Sequence, residues 1–139
     1  IGDRVNLAAR IEKVTRLYDV PILISERTAV LAAEAIETRE IDTIQVRGKA
    51  EPQRVFELLG RKGELDSDTI ELRATYGEAL GAYRAGHWAV AREGFTACLA
   101  LRAGEGPSKL FLARIAQLEG RAASGAWDGI WRDVPSLAH

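Results

Sequence analysis

At 139 residues, with 47% hydrophobic and 28% charged residues, the chain can hold one domain or two small modules of ordinary soluble, globular composition. Its formal net charge of −1 gives no overall pull toward nucleic acid or an anionic membrane, and its single cysteine, Cys98, rules out an internal disulfide and fits a reducing compartment. No apolar run approaches the roughly 18 to 20 residues that span a bilayer, no signal-peptide pattern opens the chain, and with Met absent throughout the sequence is expected to be a piece of a longer protein.

Asp3 is placed to cap a helix from about Arg4 to Leu17, in which Val5, Leu7, Ala8, Ala9, Ile11, Val14 and Leu17 recur at helical spacing. Tyr18-Asp19-Val20-Pro21 ends it, because Pro cannot continue a helix and biases Val20 toward an extended form. Ile22-Leu23-Ile24 reads as a short buried strand, and Ser25 as the cap of a second helix from Glu26 to about Glu34. Thr38 to Val46 alternates like a half-buried strand, with Asp42 at its edge. Residues Arg47 to Pro52 form a turn, and Arg54 to Leu59 a return strand. The order is that of an α+β or α/β half, and further strands are expected upstream to cover two helices. Gly60 to Ser67 is polar and reads as a linker. Helices then follow at about Asp68–Ala85, capped by Asp68 or Ser67, at Trp88–Arg102 and at Pro107–Ala122, with breaks at Gly86-His87 and at residues Ala103 to Gly106. The tail around Trp127 and Trp131 has no helical period and is expected to pack its indoles against the helices.

Two polar residues stand out in the first helix. Asn6 and Arg10 are four apart and so share one helix face. Arg offers a planar fork of donors that suits phosphate oxygens, and the Asn amide can orient a hydroxyl or a sugar oxygen. Such a pair suits a phosphoryl-transfer transition state, whose charge spreads over equatorial oxygens. On its own the pair is also what an ordinary solvated helix face offers.

The surroundings add to it. Gly2-Asp3-Arg4-Val5-Asn6-Leu7-Ala8-Ala9-Arg10 resembles the G-D-x-V-N-x-A-x-R signature of class III nucleotidyl cyclases, the adenylate and guanylate cyclases. The resemblance continues through Ile22-Leu23-Ile24-Ser25, similar to the family's I-x-x-S junction, and through Val46-Arg47-Gly48-Lys49 and Pro52 to Leu58, where the family reads V-K-G-K and P-V-x-V-Y-x-L. It covers about Ile1 to Leu59, in order and at family spacing.

This resemblance implies a ribose contact at Asn6, an α-phosphoryl contact at Arg10, and a terminal-phosphate contact at Arg47, where the family has Lys. Lys49 is taken as a solvated turn residue. The implied cofactor is Mg2+ or Mn2+, on two aspartates expected upstream together with the base-selecting positions. Asp19 and Asp42 are not taken as substitutes. The implied substrate is a nucleoside triphosphate, ATP in preference to GTP, and the implied partner is a second copy that completes the active site as a homodimer. A fragment lacking the metal ligands is expected to be inactive alone. The expected compartment is the cytoplasm, including the cytoplasmic part of a membrane-anchored parent.

In the helical part, Gly86, Trp88, Ala91, Phe95 and Cys98, with Ala79 on the preceding helix, resemble a tetratricopeptide repeat, in which small residues let two antiparallel helices approach. One repeat with a capping helix is below the roughly three usual for a free-standing solenoid, so a neighbouring protein surface is an expected partner. Cys98 reads as a core residue, His87 as a solvated turn residue, and the two Trp residues as a structural clamp. The basic residues Arg4, Arg10, Lys13 and Arg16 are interrupted by Glu12 and lack helix-turn-helix spacing, so nucleic-acid binding is not expected.

The expected architecture is therefore α+β, a partial ferredoxin-like, cyclase-type sheet with helices over 1–59, a linker over 60–67, and an all-α tetratricopeptide-like hairpin with capping helix and Trp-containing tail over 68–139. The rival reading is a non-catalytic protein-interaction module.

Overall fold

A computed structural model describes residues 15–46, 51–120 and 127–134. The predicted helix from Arg4 through residue 14, the turn at 47–50 and the end of the helix predicted to Ala122 lie outside the described residues. Among the described residues the architecture is mixed α and β, with a four-stranded sheet. The described residues up to Glu64, together with those from Trp131 onward, form one compact unit, and Leu65–Ile130 form another.

The first unit begins with residues 15–18 in helical conformation, ended by Asp19 at φ 55°. Tyr18 is fully buried there, whereas Leu17 is exposed. The predicted apolar stripe therefore ends on Tyr18 and not on Leu17, a shift of one residue or about 100° around the helix. Then come β1 (Leu23–Ser25), α1 (Glu26–Leu31), β2 (Ile36–Val46) and β3 (Gln53–Arg61). Ser25 caps α1 as predicted, its Oγ accepting from the Thr28 amide at 3.2 Å. The helix stops at Leu31, short of Glu34, because Ala32 to Ala35 turn the chain and β2 takes Ile36 as the partner of Arg61. β3 accordingly runs on into the polar stretch after Leu59.

The sheet order is β1-β3-β2-β4, where β4 is Trp131–Val134. β3 is antiparallel to both β1 and β2; β4 is parallel to β2. The tail is thus divided. Trp127 stays with the helices, its indole Nε1 donating to the Tyr83 carbonyl oxygen at 2.8 Å. Trp131 instead lies opposite Ile44 on the sheet and is buried. The physical reason is the edge of β2, whose amides and carbonyls require partners that the returning chain supplies.

The sheet register explains its buried face. Leu23 and Arg39 both lie opposite Glu57, and Asp42 lies opposite Val55. The register shifts between Glu40 and Asp42, which leaves Ile41 as the extra residue of a bulge. Ile41 and Asp42 are in consequence both fully buried, although adjacent residues of a regular strand face opposite ways.

The second unit contains α2 (Ser67–Arg84), α3 (Trp88–Leu101) and α4 (Gly106–Gly120). Asp66 is the N-cap of α2, in place of the predicted Ser67 or Asp68, and its carboxylate accepts from the Thr69 amide at 2.7 Å. Tyr76 meets Phe95, Ala79 meets Gly94, and Tyr83 meets Trp88, so the pairing runs backwards along α3 and the two helices are antiparallel. Gly86, at φ 78°, makes the sharp connection that a side chain would strain. At Gly94 the constraint is space: a Cβ there would sit 2.6 Å from the Ala79 Cβ. Ala91, Phe95 and Cys98 form the buried stripe of α3. Phe111 of α4 closes the interior against Tyr76, Tyr83 and Phe95, with ring centroids at 6.0, 4.7 and 5.0 Å. The start of α4 is held by the buried Glu105, whose carboxylate accepts from the Ser108 amide and hydroxyl at 3.0 and 2.5 Å.

Candidate functional site

Asn6, Arg10 and Arg47 all lie outside the described residues, as does Lys49. The described residues instead contain the framework that flanks them in sequence. Residues 15–18 are the end of the predicted helix that carries Asn6 and Arg10, and β2 is the strand that leads to Arg47. The two segments meet directly. The Tyr18 hydroxyl donates to Asp42 Oδ2 at 2.5 Å, with both residues fully buried. Asp42 Oδ1 accepts from the Thr43 amide at 2.8 Å, so both carboxylate oxygens are engaged.

Asp42 is therefore a buried residue in the middle of the sheet's width, between β3 and β4, and not the strand-edge residue its sequence position implied. Asp19 is exposed in its turn. Beside Asp42 on the same face, Arg39 and Glu57 form a buried ion pair, with both Arg39 Nε and Nη2 at 2.8 Å from Glu57 Oε1. Charges so placed require close geometry to offset their desolvation. Sequence reading missed this pair of contacts. The available signals were a carboxylate inside an apolar alternation, at Ile41-Asp42-Thr43-Ile44, and a Tyr four residues after Val14.

The opposite face carries an open network. Arg54 Nε and Nη2 donate to the two oxygens of Glu40 at 3.0 and 2.9 Å, Nη1 also reaches Glu26, and the guanidinium lies 5.4 Å from the centre of the Phe56 ring. The Glu40 hydrogen bond, with the charges of Glu40 and Glu26, holds the Arg54 guanidinium above its ordinary pKa. The side chain is half exposed, so the network orients α1 on the sheet more than it stabilises the fold.

Among the described residues, no group of three or more His, Cys, Asp or Glu side chains could hold a metal ion, and no helix is long and apolar enough to cross a membrane. Of the candidate donors of this chain, Arg10 and Arg47 offer cationic forks suited to phosphate oxygens, and Asn6 an amide suited to a sugar oxygen.

No family model and no solved structure matches the chain. Among curated proteins it is similar to an "Adenylate cyclase, terminal-differentiation specific" from Dictyostelium discoideum, at 25% identity over 122 residues. The match covers 84% of this chain and 6% of that protein, so the chain spans a small part of the relative's length. Fewer than half of the residues precede Leu65, so a match of this extent includes residues of both units.

Proposed function

We propose that this chain is the C-terminal half of a class III cyclase catalytic domain, joined to a small tetratricopeptide-like module. On this reading the parent converts a nucleoside triphosphate, ATP before GTP, to a 3′,5′-cyclic nucleotide and pyrophosphate. The carrying observation is the run of three motifs, from Gly2 to Arg10, from Ile22 to Ser25 and from Val46 to Leu58, in one order along the chain. Two features support it. The I-x-x-S stretch falls on the β1–α1 junction, and Val46, which opens the V-R-G-K stretch, is the last residue of β2. A distant relative that spans both units is named an adenylate cyclase.

In the proposed reaction the ribose 3′-oxygen attacks the α-phosphorus and loses its proton. The bond from that phosphorus to the bridging oxygen breaks, and pyrophosphate leaves with the electron pair. A divalent metal, on ligands assigned upstream of this chain, would activate the attacking oxygen and neutralise the triphosphate. Within the chain, Asn6 orients the ribose, Arg10 meets the charge developing on the α-phosphoryl oxygens, and Arg47 holds the terminal phosphates. The fork at Arg47, replacing a Lys point charge, can bind two oxygens of one phosphate. Asn6 and Arg10 serve the metal site of a second copy, so the active unit is a homodimer and this chain alone is inactive. The tetratricopeptide-like assignment of α2 and α3 is supported by their antiparallel packing across Ala79 and Gly94.

The test is a cyclisation assay of the intact polypeptide with Mg2+ or Mn2+, with ATP and GTP side by side. Arg10→Ala should lower kcat by roughly 10²-fold with little change in KM, because its contact tightens in the transition state. Asn6→Ala should act in the same direction. Equal losses in binding and turnover would remove the assigned roles. Absence of the two aspartates upstream would transfer the reading to a non-catalytic interaction module.

A further inference from the structure

We infer that the outer face of α1, with the turn that follows it, is a docking surface for the same face of a second copy, laid antiparallel so that Arg27 meets Glu34 and Val30 meets Leu31. The inference concerns the sheet unit alone and does not depend on the cyclase reading.

Helix α1 is fastened on one side. Of its six residues only Ala29 is buried, Ser25 caps its start, and Glu26 is paired with Arg54. Val30 and Leu31 are 68% and 76% exposed, the two most exposed large hydrophobic side chains among the described residues. A lone exposed apolar residue needs no explanation, but an adjacent pair framed by charge has the form of an interaction site.

The frame is set by helical spacing. After Leu31 the turn keeps helix-like bonds: the Ala32 amide donates to the Thr28 carbonyl oxygen at 3.0 Å, the Ala33 amide to that of Val30 at 3.3 Å, and the Ile36 amide to that of Ala32 at 3.1 Å. Val30, Leu31 and Glu34 stand three, four and seven residues after Arg27, so the four share one face. At about 100° per residue they fall within an arc of about 100°, and Ala29 lies about 150° from its centre. Arg27 and Glu34 are exposed, and neither makes a hydrogen bond or ion pair among the described residues.

The order of this face selects the occupant. Arg27 stands three residues before Val30, and Glu34 three residues after Leu31. A two-fold axis between Val30 and Leu31 therefore pairs each Arg27 with a Glu34 and each Val30 with a Leu31, the self-complementarity of an isologous contact. A parallel copy would set like charges together. A uniformly acidic or basic partner, an anionic membrane included, would meet one end well and the other badly. The net charge of −1 gives two copies little overall repulsion. The face is only about 10 Å long, well short of the roughly 800 Å² per partner of a stable complex, so its dissociation constant falls at about 0.1–1 mM. Such a contact forms where chains are tethered or concentrated to about millimolar levels.

The experiment is sedimentation equilibrium of the whole chain from about 20 μM to about 1 mM, at about 20 mM salt, where screening is weak. Circular dichroism checks that each variant is folded. Wild type should rise toward dimer mass across this range. Leu31→Ser should weaken association by about tenfold or more, because the two-fold removes two buried side chains at once. Val90→Ser, an equally apolar exposed position in α3, should change nothing. Arg27→Glu and Glu34→Arg should each weaken association by about tenfold, since each sets like charges at both ends. Mixed one to one, those two variants should associate within about threefold of wild type, because each then supplies the charge that the other lacks. A wild type that stays monomeric overturns the inference and gives the face to a different partner. Undiminished association in Leu31→Ser overturns it by placing the contact on another surface, the proposed catalytic homodimer included. Charge variants that associate like wild type alone, or that fail to associate when mixed, overturn the antiparallel pairing.

Discussion

In the sheet unit, ionisable side chains lie across the middle of the buried face, with Arg39 paired to Glu57 and Tyr18 to Asp42. In the helical unit, the seam between α2 and α3 is filled by rings and small residues, and the buried carboxylate of Glu105 sits at the start of α4 instead. The difference shows two ways of fixing geometry. Directional polar contacts set angle and register at a cost in desolvation. A close-packed seam sets distance, because a single added methyl group has nowhere to go.

The comparison is most sharply tested by removing one member of the buried ion pair. Glu57→Ala removes the carboxylate that meets Arg39 Nε and Nη2 inside the buried face and should cost about 3–5 kcal/mol. Replacing both, as Arg39→Met with Glu57→Leu, should be neutral or stabilising by about 1–4 kcal/mol. Equilibrium urea unfolding measures both. If the double variant is as damaged as the single one, the pair contributes net stability, and the distinction between register and stability falls in the sheet unit.

The seam is tested at Gly94. In an isolated helix Gly→Ala gains about 1 kcal/mol. Here the new Cβ meets the Ala79 Cβ at 2.6 Å, an atom fixed to backbone, and forcing the helices apart costs about 1–3 kcal/mol. Gly94→Ala should therefore destabilise by up to about 2 kcal/mol. Adding Ala79→Gly should recover part of the loss, a coupling that a double-mutant cycle reads directly. A stabilised Gly94→Ala would show that the helices do not close at this point.

The same contrast explains what could be read in advance. The helices and breaks of the second unit follow from periodicity and from Gly86, and the aromatic and small positions Trp88, Ala91, Phe95 and Cys98 were legible as a face. Gly94 was not, because a glycine inside a helix has no pattern until its neighbour across the seam is known. In the sheet unit, the strands and the Ser25 cap were legible, since each depends on nearby residues. The bulge at Ile41 was not, and it alone turns Asp42 inward. Nor was the return of Trp131 to β2, a pairing made across 87 residues between Ile44 and the tail. The candidate site residues rest on the motif resemblance. What the described geometry adds is the pair of residues, Tyr18 and Asp42, that joins the segments next to them.

The smallest expected effect lies where a polar contact is open to water. Asp66 does at the start of α2 what Ser25 does at α1, but its carboxyl titrates. Its hydrogen bonds from Thr69, together with the charge of Arg102, hold the carboxyl below its ordinary value. Because the folded pKa lies below the unfolded one, the cap contributes fully above the usual carboxylate value of about 4, and the contribution is lost as pH falls through the lowered folded value. Asp66→Ala should therefore reduce the melting temperature modestly at neutral pH, and the gap from wild type should narrow as the solution is acidified through that range. Asp66→Asn keeps an acceptor for the Thr69 amide without the titrating group, so it should retain most of the stability with no such narrowing. Thermal melts of the three proteins from pH 7 to pH 3 measure this. A gap between wild type and Asp66→Ala that stays constant with pH would mean that the charge contributes nothing at this exposed end. The contrast would then lie between directional and shape-based contacts irrespective of ionisation, with burial deciding the magnitude of each.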